Sequence, residues 1–314
     1  MQAQKGLIKK LGRFLTDPSY RTRVLADRGF YDRLSDRDYL EKLYRAHMGR
    51  PLELEHPETL NEKLQWLKLY YRDPLHTVLV DKYRVRDYVA EKLGEEHLIP
   101  LLGVWDDPDE IDFDRLPAQF VLKCNHNSGL GMYICRDKSR LDPARVRAGL
   151  RRGLAQDYFL HGREWPYKNV PRKIIGEQYL ADVSGHGLRD YKFYCFDGRM
   201  ALSMINSDRF SPVPTKADYF DRNFDRLGFT WGYQRSAVPP ERPEQYDEMI
   251  AAAEKLAVGL PHVRVDLYLV GGRIYFGELT FFDGSGFSPI LPQTWDRRLG
   301  ALLRLPERRA DSPV

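Results

Sequence analysis

The stretch RVDLYLVGGRIYFGELT, residues 264–280, sets Arg264, Asp266, Glu278 and Thr280 at two-residue steps within otherwise largely apolar runs. The alternation reads as two short strands around Gly271-Gly272, a hairpin signal. Two carboxylates on an apolar face repel each other and resist burial, so a bound cation is the economical explanation of the pair. Opposed residues across a turn have a constant sum of numbers. Asp266 and Glu278 therefore share a face only if the loop has an odd number of residues. A three-residue loop with a left-handed glycine is the expectation, and it lines all four polar side chains along one surface.

Two further stretches carry chemistry. In FVLKCNHNSGLGMYIC, residues 120–135, Lys123 ends a strand just before a loop with Ser128, Gly129 and Gly131. Backbone N–H groups of such a loop approach phosphate oxygens closely, and a lysine ammonium adds a point charge. A plain hairpin turn with a snorkelling lysine accounts for the same residues, and both readings stay open. In EQYL, Glu177, Gln178, Tyr179 and Leu180 leave an apolar strand for a turn, where backbone C=O and N–H groups suit a flat base such as adenine. A solvated strand-end glutamate is the alternative. FFDGSGF, with Gly284, Ser285 and Gly286, offers a second candidate anion-binding loop.

These residues need a scaffold, and 314 residues are enough for a large core and two or three lobes. A content of 42% hydrophobic and 30% charged residues is that of a soluble globular protein, and no apolar run reaches membrane-spanning length. Three cysteines, Cys124, Cys135 and Cys195, have no metal-type spacing, and their odd number argues against a secreted disulfide framework. They read as buried, inert thiols in a cytoplasmic protein. A net charge of +4 is too slight to imply nucleic acid. Leu7, Ile8, Leu11, Phe14 and Leu15 follow helical spacing, with Lys5, Lys9, Lys10 and Arg13 on the other side. Charge interrupts this run, so it is no signal peptide. It either packs on its own domain or lies peripherally on the inner face of a membrane.

Helices are expected over 37–48, 57–71 (opened by HPETLNEK), 81–93 (stopped by Gly94), 143–154 and about 244–258. LIPLLGVW, QFVLKCN, MYICR and KIIGEQYL read as strands, and DYKFYCFDGRMALSMI as a hairpin over Asp197-Gly198, followed by a polar loop. The acidic DDPDEIDFDRLP marks a lobe boundary, and the tail LPERRADSPV reads as frayed. There is no internal repeat or low-complexity segment.

In order along the chain stand a lysine before a Gly-rich loop, E-x-x-L, R-x-D, and E-x-T followed by G-S-G. This pattern resembles the ATP-grasp superfamily. The Arg264-x-Asp266 and Glu278-x-Thr280 pair resembles the metal site of D-alanine:D-alanine ligases, with Thr280 in place of the usual Asn. LNEKLQWLKLY, LVDKYRVRDYVAEKLG, HGREWPYKNVPR and ELTFFDGSGF look like the TupA-like ATP-grasp family, associated with teichuronopeptide and capsule biosynthesis, over roughly residues 50 to 302. The resemblance implies an α+β ATP-grasp fold. Its parts would be an N-terminal helical extension (1–50), an N-terminal lobe (51–117), a small nucleotide-lid subdomain (118–181), a catalytic subdomain (182–304) and a tail (305–314).

The resemblance also implies ATP and Mg2+. Lys82 and Lys123 would meet the phosphates under a flexible 127–131 lid, Glu177 to Leu180 adenine, and Asp182 the ribose. Lys192 would reach the phosphates from the floor strand, an exposed strand lysine being its plainer account. Asp266, Glu278 and Thr280 would hold metal with Arg264 beside them. Arg163 and Lys168, Arg209 in NSDRF, and Gly284, Ser285 and Gly286 would line the acceptor side, although 163–173 also suits a surface loop anchored by Trp165. The implied activity is an ADP-forming carboxylate–amine ligase: ATP converts a carboxylate to an acyl phosphate, and an amine attacks it to give an amide. Its substrates would be small or glycan-linked carboxylates and amines of cell-surface conjugate biosynthesis. ATP-dependent phosphotransfer to a glycan hydroxyl, and a non-catalytic nucleotide- or glycan-binding module, are the alternatives.

Overall fold

A computed structural model describes residues 10–181, 188–207 and 213–308. The chain forms two compact units: Met1–Arg72, Phe159–Glu164 and Phe282–Val314 make the smaller, Asp73–Tyr158 and Trp165–Phe281 the larger.

The smaller unit carries the helices Pro18–Asp27, Asp36–Met48, Leu60–Tyr70 and Gln293–Leu302. The third starts at Leu60 rather than 57, because Thr59 accepts from the backbone of Glu62 while Glu62 accepts from the backbone of Thr59. That capping box satisfies two end donors and leaves Pro57 and Glu58 outside the helix. Its Asn61, Glu62, Gln65 and Lys68 are all buried, and buried polar groups must be hydrogen-bonded. Asn61 donates to Asp296 from both its backbone (3.1 Å) and its side chain (3.1 Å). Glu62 pairs with Arg50, and Gln65 donates to the carbonyls of Ser285 (3.0 Å) and Gly286 (2.9 Å). The tail is packed as far as Arg308, whose guanidinium lies 4.3 Å from the Tyr70 ring. Residues 10–16 are helical, with Leu11 and Leu15 exposed, and residues 1–9 of the expected amphipathic helix lie outside the described residues.

In the larger unit, β1 (Leu101–Trp105), β2 (Phe120–Cys124), β3 (Tyr133–Cys135) and β4 (Ile174–Gln178) form an antiparallel sheet in the order β1-β4-β2-β3. Phe120, Leu122 and Cys124 are buried and Val121 and Lys123 only half-buried, the alternation of a strand with one covered face. Helix Pro143–Ala155 covers that face, with Val146 and Leu150 in the same core as Phe120 and Leu122.

The second sheet holds β5 (Asp190–Phe196), β6 (Arg199–Ser207), β7 (Lys216–Phe220), β9 (His262–Val270) and β10 (Arg273–Thr280) in the order β10-β9-β5-β6-β7; β8 (Thr230–Trp231) stands apart from it. Helix Tyr246–Ala257 packs on β5, β6 and β9, with the Tyr246 hydroxyl 2.7 Å from that of Ser203 and its ring 5.8 Å from Phe193. Strand β7 lies where the sequence reads as polar loop. Asp218 disguises it there, yet that residue is wholly buried because Arg226 and Ser236 hold its carboxylate.

The helix expected over 81–93 begins only at Val85 and runs to Leu93, and a separate helix, Pro74–Val80, precedes it. Asp81 separates them. Its carboxylate accepts from the N–H groups of Tyr83 (2.9 Å) and Arg84 (3.3 Å), competing with the helical ladder. The β9–β10 turn also differs from expectation. It has two residues, Gly271 and Gly272, both at positive φ (57° and 77°), the tight form whose twist suits a hairpin. The odd residue sits further along: the register slips between Phe276 and Glu278, a β-bulge at Gly277 that brings Glu278 opposite Asp266. A side chain at 277 would press on the Asp266 carbonyl, 3.0 Å from where its Cβ would lie.

The three cysteines are free and buried, as their spacing suggests. Among the described residues no helix is long and apolar enough to cross a membrane.

Candidate active site

Cross-strand register builds the floor of the site. Lys192 lies opposite Asp266 and Asp266 opposite Glu278, while Arg264 lies opposite Thr280. Directly opposed residues share a face, so three strands present Lys192, Asp266 and Glu278 as one row, with Arg264 and Thr280 in the next. Arg264 ties the rows together. Its Nε donates to Asp266 Oδ1 (2.7 Å), and its Nη2 donates to Asp266 Oδ2 (2.9 Å), Glu278 Oε1 (3.0 Å) and Thr280 Oγ1 (3.0 Å). Lys192 is ion-paired with Asp266 and, at 2.6 Å, with Asp190 Oδ2. Asp190 is a member that the motif reading misses. Its signal is the two-residue spacing in DYK, which places it on the Lys192 face.

Burial raises the Asp266 pKa despite the pull of Arg264 and Lys192. Burial also penalises the Lys192 ammonium, but Asp266 and Asp190 outweigh it and the pKa rises. For Glu278 the penalty of burial is overcome by Lys82, Arg264, Lys192 and Lys123, which bring its pKa to about 2. Glu278 is thus the committed anion of the row. It also keeps a free edge: its side chain is 34% open, and Lys82 Nζ stands 3.9 Å from Oε2.

The helix break at Asp81 delivers Lys82, whose ammonium donates to the Asn127 carbonyl at 2.7 Å. Burial lowers the Lys82 pKa, opposed by Glu278. Asn125 organises this corner. Its side chain donates to Asp81 (2.7 Å) and the Pro171 carbonyl (2.8 Å) and accepts from Lys173 N (2.7 Å), while its own carbonyl accepts from Lys82 N (3.2 Å). In the small sheet Val121 faces Glu177 and Lys123 faces Ile175, so Lys123 and Glu177 are diagonal neighbours on the uncovered face, 2.6 Å apart. Arg86 adds a second cation 3.7 Å from Glu177.

The Gly-rich loop is pinned at its ends. Asn127 donates to the Gly153 carbonyl (3.1 Å), and Gly131, at φ 74°, leaves no room for a Cβ against Cys124 Sγ and Gly153 Cα. Ser128, Gly129 and Leu130 between them are exposed. The structure therefore brings Lys82, Lys123, Glu177, Lys192, Arg264, Asp266, Glu278 and Thr280 into one unit with this loop. Gln178 ends β4 exposed, and Tyr179 and Leu180 follow it; the Tyr179 hydroxyl accepts from Arg136 at 3.4 Å. Lys168 is exposed in the same unit. Asp182 and Arg209 lie outside the described residues.

Arg163, Gly284, Ser285 and Gly286 belong to the smaller unit. Arg163 has another task than the expected acceptor contact. Its side chain is 3% exposed and is committed to the carbonyls of Tyr31 (3.3 Å), Asp32 (2.8 Å) and Leu34 (3.3 Å), with the Tyr39 ring 4.4 Å away. A guanidinium so enclosed anchors its own segment.

The metal-type residues suit a hard cation. The donors are two carboxylates and a hydroxyl in register, all oxygen, and among the described residues no cluster of three or more His, Cys, Asp and Glu forms a complete cage. Mg2+ is usually held by one or two carboxylates with nucleotide oxygens and water completing the shell. The open edge of Glu278 fits that demand, whereas Asp266 must exchange a contact with Arg264 or Lys192 to join it.

The sequence model described as TupA-like ATPgrasp matches residues 62–304, and the chain belongs to the TupA-like ATP-grasp family. Its α+β architecture of antiparallel sheets and helices is the ATP-grasp fold. No curated protein sequence matches the chain. Among solved structures it is similar to the D-alanine–D-alanine ligase of Bacillus anthracis complexed with ATP, at 14% identity and a TM-score of 0.39 over 65% of this chain and 54% of that one. The D-cycloserine synthetase DcsG aligns at 18% identity and a TM-score of 0.42, over 74% and 72% of the two chains. The ATP-grasp ligase PsnB complexed with minimal precursor, Mg and ADP aligns at 12% and 0.38, over 83% and 68%. The chain thus spans about half the length of the first of these ligases.

Proposed function

We propose that this chain is an ATP- and Mg2+-dependent ligase that joins a carboxylate to an amine with release of ADP and phosphate. The observation that carries the reading is the register-locked row Lys192–Asp266–Glu278 with Arg264 bridging both acids, in a member of the ATP-grasp family. Asp266 and Glu278, with Thr280 beside them, would hold Mg2+, which when bound neutralises charge on the phosphoryl group in transfer. Arg264 holds the two acids beside each other before any ligand arrives. Lys82 and Lys123 would exchange the Asn127 carbonyl and Glu177 for phosphate oxygens, and the exposed tip of the 127–131 loop would close over them.

In the reaction, a carboxylate oxygen attacks the terminal phosphorus and the bond to ADP breaks. The amine nitrogen then attacks the acyl carbon, phosphate leaves, and the amine loses its proton to solvent. The family's association with teichuronopeptide and capsule formation makes amino acids and uronic acids, free or glycan-linked, the first substrates to try. Coupled ADP release over such a panel, with product masses, tests the proposal. Equal yields of amide, ADP and phosphate are expected. A phosphorylated acceptor without free phosphate would make the chain a phosphotransferase, and no ATP consumption with any pair would leave a binding module.

A further inference from the structure

Lys68 is 1% exposed, in the middle of helix Leu60–Tyr70, and no part of the ATP site uses it. Its ammonium donates to Gln65 Oε1 (3.1 Å), the Gly162 carbonyl (2.7 Å) and the Ser285 carbonyl (2.7 Å), and the Phe287 ring lies 4.8 Å away. All three contacts are acceptors, so each of its three N–H donors has a use, which neutral amine with two could not match. Burial pulls its pKa down to about 7 while the Glu164 carboxylate works against that loss.

The groups it joins are unusual. Gly284, Ser285 and Gly286 stand at φ 53°, 53° and 62°, and a non-glycine residue in that region is strained. Ser285 donates its hydroxyl proton to the buried Glu164, a carboxylate that only accepts. Gly162 has no room for a side chain, because Ser285 fills the space beside it. With the Ser285 and Gly286 carbonyls turned toward Gln65 and Lys68, the loop does not present those oxygens to a ligand. What Ser285 retains is the lone-pair side of its hydroxyl, which receives a hydrogen-bond donor rather than an anion.

We infer that Lys68 is a positioning residue for the acceptor. It clamps the 284–286 loop to the 159–164 segment so that the Ser285 hydroxyl, its proton committed to Glu164, accepts a hydrogen bond from the acceptor amine. This rests on reading that loop as part of the acceptor site.

Two measurements on the full chain test it. The first is backbone hydrogen exchange. Lys68→Met should speed exchange of residues 284–287 and 162–164 at least tenfold, Lys68→Arg should restore part of the protection, and Ser285→Ala should leave it intact. The second is coupled ADP release with the amine that the substrate panel identifies. Lys68→Met and Ser285→Ala should each raise the apparent KM for that amine about tenfold or more, with the ATP KM changed less than twofold. Unchanged exchange in Lys68→Met, or amine and ATP constants rising together, overturns the inference. Should Lys68→Met not fold, Lys68→Gln takes its place. If no amine supports ADP release, the proposed reaction fails while the exchange comparison still decides what Lys68 holds.

Discussion

Buried charge is handled in opposite ways by the two units. In the smaller one, Lys68 and Arg163 spend their donors mainly on main-chain carbonyls. In the larger one, Lys123 meets Glu177, Lys192 meets Asp190 and Asp266, and Arg264 meets Asp266 and Glu278. The carbonyls that hold Lys68 and Arg163 tie segments of one unit together, so the first arrangement is architectural; the Asn127 carbonyl that holds Lys82 in the larger unit stands apart from it, at the end of the Gly-rich loop. A carboxylate that loses an ammonium can take a metal ion, and the ammonium can take a phosphate, so the second arrangement is exchangeable. What separates a structural charge from a functional one here is the replaceability of its partner, together with the open edge that Glu278 and Lys123 keep and Lys68 and Arg163 lack.

The largest effect that sharpens this contrast is expected at the acids. Asp266→Asn or Glu278→Gln should slow single-turnover ATP consumption by about a hundredfold or more, by analogy with the loss of one oriented transition-state contact, with the fold nearly intact. The double variant should be scarcely slower than the poorer single one, because a shared ion is lost only once. A fully multiplicative loss would break the comparison. On the architectural side, Asn61→Ala strips the side-chain donor from the buried Asp296 and leaves only the backbone one, and should lower unfolding free energy by about 1.5–3 kcal/mol while leaving ATP affinity unchanged by calorimetry.

Two smaller effects follow. Lys123→Met keeps bulk and removes charge, and should weaken ATP binding about tenfold, roughly 1.4 kcal/mol; unchanged affinity would assign Lys123 to Glu177 alone. His47 stacks on Phe287, and burial followed by Arg23 lowers its pKa from 6.5 to about 4. The unfolded chain therefore binds a proton that the folded one refuses between those values. Stability is full above pH 6.5 and falls as pH drops toward about 4, by roughly 1.4 kcal/mol at pH 5.5. Urea midpoints across this range should show the slope, and His47→Gln should flatten it.

Much of this contrast is legible from residue types. The period-2 runs locate β2, β4, β5 and the β9–β10 hairpin, and alternation sets Arg264 with Asp266 and Glu278 with Thr280, but the two acids share a face through the Gly277 bulge and not through the expected three-residue loop. Three features escape. Asp81 holds back the start of a helix to Val85 through side-chain bonds to Tyr83 and Arg84, and a helical hydrophobic period does not register that competition. Strand β7 hides because Asp218, a poor strand former, is neutralised by Arg226 from a later loop. Arg163 sits in an aromatic, basic segment that suggests a ligand contact, but its partners are carbonyls about 130 residues earlier in the chain. Such choices belong to tertiary structure and leave no local trace.

Gly277 gives the hairpin a reading frame. Were Gly277 taken into the ladder as an ordinary rung, Glu278 would stand opposite Val265, on the side that carries Phe193 and the covering helix, and the site would be silenced without altering any residue that belongs to it.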